Sequence, residues 1–141
     1  MNKLIWLFGL SAIVVSAGCN SDIVCTERLK MLEHKCVHLA PLNSEDPHVG
    51  QVLRDALEKE LIRQGIALCD SDTATVFITG STFLSMRGPA SSSNQSIESV
   101  SIVAKDSSGE ILLSASYDNN DRHTAGRVAK EFGSALAGKL K

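Results

Sequence analysis

Residues 46–65 (DPHVGQVLRDALEKELIRQG) are the stretch that decides the fold. Asp46 is a favourable N-cap residue, Pro47 suits the first helical position, and Gly65 is typical of the position just past a helix C-terminus. Between these residues, apolar side chains recur at intervals of three and four. They are Val49, Val52, Leu53, Ala56, Leu57 and Leu61. This spacing predicts an amphipathic helix with one buried stripe, which must pack on another layer of structure.

The segments on both sides of this helix have the pattern of β-strands. Residues 36–42 (CVHLAPL) alternate in polarity, and residues 73–84 (TATVFITGSTFL) are rich in β-branched and aromatic side chains. Two further strands are predicted over residues 97–105 and 110–117, joined by a turn at Asp106-Ser107-Ser108-Gly109.

A second helix is predicted near the C-terminal end of the sequence. Thr124 is suited to cap it, and its buried side is expected to carry Val128, Phe132, Leu136 and Leu140. The order β-α-β-β-β-α predicts a two-layer α+β domain in which both helices cover one face of a small mixed sheet. The first helix would cross over between two parallel strands.

The first eighteen residues have the pattern of a bacterial signal peptide. Lys3 supplies a positive charge, residues 4–15 are almost entirely apolar, and small residues follow at 16–18. The apolar run is too short to span a membrane, which takes about 20 residues. Residues 16–19 (SAGC) resemble a lipobox, although Ser16 stands where that motif prefers Leu. The resemblance implies cleavage before Cys19 and acylation of its thiol, and Asn20 implies the outer membrane as the destination.

These features divide the chain into three parts. We expect a lipoprotein signal peptide over residues 1–18, a tether over 19–35 and a single periplasmic α+β domain over 36–141. Acyl chains on Cys19 would hold the domain on the periplasmic side of the outer membrane. An ordinary secretory signal followed by a chance cysteine is the alternative.

Composition and motifs exclude several classes of protein. The 141 residues have a net charge of −2 and only 4% aromatic residues, so nucleic acid is not an expected partner. Neither a nucleophile elbow nor an HExxH, CxxC or phosphate-loop motif occurs. We therefore expect no enzyme, and no cofactor besides the covalent lipid on Cys19. The carboxylate pairs Asp70/Asp72 and Glu58/Glu60 are expected beside helix ends or on solvated faces.

Three cysteines remain after acylation of Cys19, and the oxidising periplasm favours a disulfide between two of them. Cys36 starts the first predicted strand, and Cys69 follows the helix that returns to the same end of the sheet. This topology favours a Cys36–Cys69 bridge. The pairings of Cys25 with Cys36 or with Cys69 are the alternatives.

His34, Cys36 and His38 form the most interesting cluster of polar side chains. If the strand begins early, the three side chains share one face, because strand side chains repeat every two residues. Two imidazoles and a thiolate could bind zinc or copper. The favoured interpretation is two exposed histidines beside a disulfide cysteine, with no metal.

A loop is predicted at residues 87–95 (RGPASSSNQ), which are rich in glycine, proline and serine. Loops on a rigid scaffold often carry binding residues, so Arg87, Gly88 and Pro89 are candidate contacts for a partner protein. A plain hairpin connection is the alternative.

Four segments resemble a group of bacterial envelope proteins. Residues 37–42 look like their "V-A-V-x-P-F" strand, and residues 52–65 are similar to the helix that follows it. Residues 74–81 (ATVFITGS) resemble their "A-D-Y-V-L-T-G-S" strand, and residues 103–114 their "D-x-x-T-G-E-V" hairpin. The group includes the lipoprotein activators of penicillin-binding proteins, the curli secretion lipoprotein and the N-terminal domain of TolB.

This resemblance implies the same α+β fold and a function in binding other envelope proteins. We therefore expect a lipid-anchored interaction module that docks on or supports an envelope protein complex. A periplasmic lipoprotein that binds a metal or a small ligand is the alternative.

Overall fold

A computed structural model describes residues 21–26, 36–86, 95–119 and 123–141 of the protein. This part of the chain forms β1 (Ser21–Cys25), β2 (Val37–Leu39), α1 (Pro47–Arg63), β3 (Val76–Met86), β4 (Gln95–Asp106), β5 (Ile111–Asp118) and α2 (Ala125–Leu140). The strands make one mixed sheet in the order β1-β5-β4-β3-β2. From β2 onward the element order is β-α-β-β-β-α, so the predicted α+β class is confirmed.

Helix α1 begins and ends as its sequence predicts. The Asp46 carboxylate accepts a hydrogen bond of 2.9 Å from the His48 N–H, which satisfies a donor of the first turn. Gly65 follows the helix with a φ of 82°, a conformation that costs glycine little. Leu53, Leu57 and Leu61 are buried, whereas Val52 at the margin of the predicted stripe is 43% exposed. The stripe that packs on the sheet is therefore narrower than predicted.

The connections between the strands follow the predicted topology. β2 and β3 are parallel, with Val37 opposite Val76, and α1 connects them. β3, β4 and β5 are antiparallel neighbours. In the turn between β4 and β5, the Asp106 carboxylate accepts hydrogen bonds from the backbone of Ser108 and Glu110, at 2.8 and 3.0 Å. These bonds hold the turn that the sequence predicts at this position.

The core lies between the sheet and the two helices. All four predicted apolar residues of α2 are buried: Val128, Phe132, Leu136 and Leu140. The ring of Phe132 packs against Tyr117 of β5, with 5.9 Å between the ring centroids. Thr124 is the N-cap residue of α2, although its side chain makes no capping hydrogen bond. Both helices thus cover one face of the sheet.

The N-terminal strand was not predicted. The sequence places a tether at residues 19–35, but Ser21–Cys25 form β1, which pairs antiparallel with β5 at the edge of the sheet. Ile23 lies opposite Ala115, and both Ile23 and Cys25 pack against the core. Five residues are too few for an alternating hydrophobic pattern to predict a strand. The strand is stabilised by its pairing with β5.

Within the described ranges, no helix combines the length and the apolar character that crossing a bilayer requires.

Candidate functional site

The face of the sheet that the helices leave uncovered is the candidate functional surface, called here the open face. Its members follow from strand register, because alternate side chains of each strand point to opposite faces. A residue that is flanked along its own strand by core residues therefore points away from the core, onto the open face. Hydroxyl groups line the centre of the open face, contributed by Thr79 and Ser81 of β3, Ser99 and Ser101 of β4, and Ser114 and Ser116 of β5.

Apolar side chains surround this hydroxyl centre. Phe83 lies opposite Ser99 and is 54% exposed, and Val24 lies opposite Ser114 and is 64% exposed. Phe77 pairs with Lys105, and its ring lies 6.3 Å from that of His38. A hydroxyl-lined surface with exposed apolar groups at its margin can form hydrogen bonds and bury apolar area in the same contact. This combination is typical of a surface that meets another molecule.

The two edges of the sheet differ. At the β2 edge, the Val37 N–H donates to the Ala67 carbonyl at 2.9 Å, and the Cys69 N–H donates to the Val37 carbonyl at 3.1 Å. The segment after α1 therefore covers part of this edge. At the β1 edge, β5 is the only strand of the described chain that pairs with Ser21–Cys25, so the outer side of β1 has no partner strand there. An unpaired edge strand is a template for strand addition by another chain.

A disulfide joins Cys36 to Cys69, with 5.8 Å between their Cα atoms. This is the pairing that the sequence favours, and it ties the segment covering the β2 edge to the start of that strand. Cys25 is a free, half-buried cysteine on β1. The pairings of Cys25 with Cys36 or Cys69 do not occur in this structure.

The disulfide bears on the metal-site alternative for the cluster of His34, Cys36 and His38. Zinc and copper take a thiolate ligand, and Cys36 has no thiolate while it is bonded to Cys69. His38 Nδ1 lies 3.2 Å from the carbonyl oxygen of Cys69. His34 lies outside the described residues. In the part of the chain that the structure describes, no group of three histidine, cysteine or acidic side chains is arranged to hold a metal ion.

The predicted partner loop lies almost entirely outside the described residues. Arg87, Gly88 and Pro89 lie outside the described residues, as does the remainder of the loop up to residue 94. Gln95, predicted as the last loop residue, instead begins β4 and pairs with Met86. The hairpin is therefore longer than the sequence indicates.

A buried carboxylate joins the two helices, and sequence reasoning missed it. Glu60 is only 3% exposed, and its Oε1 accepts hydrogen bonds from Gln64 Nε2 at 2.9 Å and Ser134 Oγ at 3.0 Å. Its Oε2 lies 2.8 Å from Nη1 of Arg63. A side chain at Gly133 would have its Cβ 2.9 Å from Glu60 Cγ, so the glycine leaves room for the carboxylate. One signal was present in the sequence, because Glu60 follows Leu57 by three residues on the buried stripe.

We expect Glu60 to make stability depend on pH in the acid range. The hydrogen bond from Gln64 is the main cause that holds the Glu60 pKa below its ordinary value of 4.5, with Ser134 and Arg63 acting in the same direction against burial. Because the pKa is lower in the folded state, the stabilisation is present above about pH 4.5 and is lost as the pH falls through the folded-state pKa. Melting temperatures measured from pH 7 to pH 3 should fall less steeply for Glu60→Gln than for the unmodified protein. Equal slopes would contradict this assignment.

A second polar cluster holds the start of α2 against the sheet. The Tyr117 hydroxyl donates to Glu131 Oε2 at 2.9 Å and lies 3.2 Å from Nδ1 of His123. Arg127 Nε donates to Glu131 Oε1 at 2.9 Å, and this bond is the main cause of the lowered pKa of Glu131. The Asn119 amide donates to the carbonyl oxygens of Ile97 and His123. These bonds attach His123 and α2 to strands β4 and β5, so we assign the cluster a structural role.

Comparison with known proteins identifies the fold. No family model matches the sequence, and no curated protein matches it. A solved PelC dodecamer from Paraburkholderia phytofirmans matches with a TM-score of 0.60 and 15% identity, over 85% of this chain and 96% of that one. The dodecamer of a PelC point variant from the same organism matches with a TM-score of 0.56 and 18% identity, over 74% of this chain and 86% of that one.

A PDZ domain protein from Parabacteroides distasonis also matches, with a TM-score of 0.51 and 12% identity over 86% of this chain. The match covers 35% of that longer protein. The chain therefore has the α+β fold seen in the PelC subunit.

Proposed function

We propose that the protein is a non-catalytic, lipid-anchored interaction module on the periplasmic side of the outer membrane. It docks on or supports an envelope protein complex, and it needs no cofactor besides the lipid on Cys19. The observation that carries this proposal is that the sheet has an open face next to an open β1 edge. The β2 edge, in contrast, is partly covered. The lipobox resemblance of residues 16–19 supplies the compartment.

The PelC neighbours indicate which partner to test first. Both of the matching PelC structures are dodecamers, so copies of that fold associate with one another. We propose that this chain also self-associates, and that the open face and the β1 edge take part in the contact. The assembled copies would then present a repeated surface to the envelope complex.

We expect a charge on the open face to reduce self-association. Lysine at Val24 or Phe83 would place a strongly hydrated ammonium group where the contact requires desolvation. Sedimentation velocity of the purified domain should show a smaller species for Val24→Lys and for Phe83→Lys than for the unmodified protein. Crosslinking in intact membranes, followed by a pull-down, should show the same loss together with loss of any envelope partner.

Ile62→Lys is the matched control. Ile62 is 61% exposed, as the two open-face residues are, but it lies on α1, on the other side of the molecule. We expect this variant to associate as the unmodified protein does. A monomeric unmodified protein with no crosslinked partner, or equal losses in all three variants, would count against the open face as the docking surface.

A further inference from the structure

The link between the predicted lipid anchor and the folded domain is very short. β1 begins at Ser21, two residues after Cys19. Two consecutive Cα–Cα steps span at most about 7 Å. An acylated Cys19 lies at the level of the lipid headgroups because its acyl chains enter the hydrocarbon. The Ser21 end of the sheet is then held within about the same distance of the bilayer surface.

Register identifies what else lies at this end of the molecule. Ser21 is paired with Tyr117, next to Asp118 at the end of β5, and Thr124, the N-cap residue of α2, lies close by. The neighbouring hairpin extends further, because Val100, the partner of Tyr117, pairs with Thr82. β3 continues for four residues beyond Thr82 to Met86, which is about 13 Å along the strand. The ends of β3 and β4 therefore extend along the strand direction at least as far as the two-residue link to Cys19 can reach.

We propose that the bilayer surface is a direct contact partner of the folded domain. The membrane-facing end comprises Ser21, Asp118, Thr124 and the ends of β3 and β4. The opposite end, with the Gly109 turn, the Cys36–Cys69 disulfide and the last turn of α2, is directed away from the membrane. This inference rests on the acylation of Cys19 in the proposed function. It gives the domain a fixed orientation, because β1 occupies residues 21–25 of the range expected to be a tether.

Charge does not explain this orientation, because acidic side chains are exposed at both ends of the molecule. Asp22, Glu98 and Asp118 are exposed at or near the membrane-facing end, and Asp70, Asp72 and Glu110 are exposed at the opposite end together with Lys139 and Lys141. Anionic phospholipid thus gives the Ser21 end no electrostatic reason to face the membrane, and the short link imposes the orientation. A longer link should therefore release the Ser21 end from the membrane.

Single tryptophans at the two ends of α2 test the proposal. The only tryptophan of the sequence is Trp6 in the predicted signal peptide, so a mature chain would carry none. Thr124→Trp places a probe at the membrane-facing end, at an exposed position whose side chain makes no capping bond. Lys139→Trp is the matched probe at the exposed far end of the same helix, about 22 Å away. Neither position lies on the open face.

The acylated variants are reconstituted in vesicles of phosphatidylethanolamine and phosphatidylglycerol that contain a headgroup spin-labelled phospholipid. We expect several-fold stronger fluorescence quenching for Thr124→Trp than for Lys139→Trp. Inserting ten Gly/Ser residues between Asn20 and Ser21 should reduce quenching of the Thr124→Trp probe to the level of Lys139→Trp. Equal quenching of the two probes with the native link would overturn the proposal, as would quenching that the inserted linker leaves unchanged.

Intact mass of the membrane-extracted protein separates this inference from the function on which it depends. A mass without acyl chains shows that the anchor itself is absent, which contradicts the proposed function. An acylated protein with equally quenched probes contradicts only the orientation. Cys19→Ser, purified without lipid and added to the same vesicles, sets the baseline for both probes.

Discussion

Replacing Cys36 and Cys69 together with serine should lower the free energy of unfolding by about 3–4 kcal/mol, because the disulfide closes a loop with a sequence separation of 33. The bridge restricts the unfolded chain, and the serine variant regains that conformational freedom. Removing the disulfide also affects the folded state, because the bridge ties the segment around Ala67 to the β2 edge. Urea unfolding of the non-acylated domain, with and without dithiothreitol, measures the effect.

Cys25→Ser is the control for this experiment, because Cys25 is free and half-buried. We expect this variant to lose less than about 1 kcal/mol. Dithiothreitol should bring the unmodified protein to the stability of the double variant and leave the double variant itself unchanged. A double variant as stable as the unmodified protein would show that the bridge does not constrain the chain.

The reduced form should also associate less specifically. Without the disulfide, the segment that covers the β2 edge is held only by its backbone hydrogen bonds and its packing. Freeing that edge would leave unpaired strands on both sides of the sheet, a condition that promotes edge-to-edge aggregation. Light scattering of the double variant, compared with Cys25→Ser, is the measurement.

Phe132→Ala should destabilise the domain by about 3–5 kcal/mol. The ring is fully buried between α2 and the sheet and packs on Tyr117. Removing the ring loses the free energy gained by transferring it from water into the core. It also leaves a cavity that the helix layer and the sheet cannot close. Tyr117 also donates to Glu131 of α2, so the change weakens the attachment of this helix at a second point.

Phe83→Ala is the matched control, because Phe83 is 54% exposed on the open face. We expect a change within about 0.5 kcal/mol for the monomeric domain, as for most surface positions. Urea unfolding at low protein concentration compares the two variants. Similar losses at both positions would contradict the placement of the core between the helices and one face of the sheet.

Residues close in sequence determine the features that sequence analysis predicted well. The Asp46 cap, the leucine stripe of α1 and the Asp106 turn each depend on groups within a few residues of one another. The buried side of α2 was predictable for the same reason, since Phe132 and Leu136 repeat with the helical period. The Cys36–Cys69 bridge needed one further step, the return of a helix to the end of the sheet where it started.

Residues distant in sequence determine the features that sequence analysis missed. Glu60 is charged and lies in a helix, so it was expected on a solvated face or beside a helix end. It is buried because Ser134, 74 residues away, and the small Gly133 provide a polar pocket. Residues 21–25 were expected to be part of a tether. They form a strand because they pair with β5, and their own sequence does not predict that pairing.

The sequence by itself predicted the compartment of this protein, the α+β class, the limits of α1, the start of α2 and the favoured disulfide. These predictions depend on the spacing of apolar residues, on helix caps and on the order of the elements along the chain, all of which are visible in the sequence. Within the residues that the structure describes, only the tertiary structure decided which face and which edge of the sheet are left uncovered, and that β1 begins two residues after Cys19. Those properties arise from pairing between distant segments, such as β1 with β5 and residues 67–69 with β2, and no short stretch of sequence contains both partners.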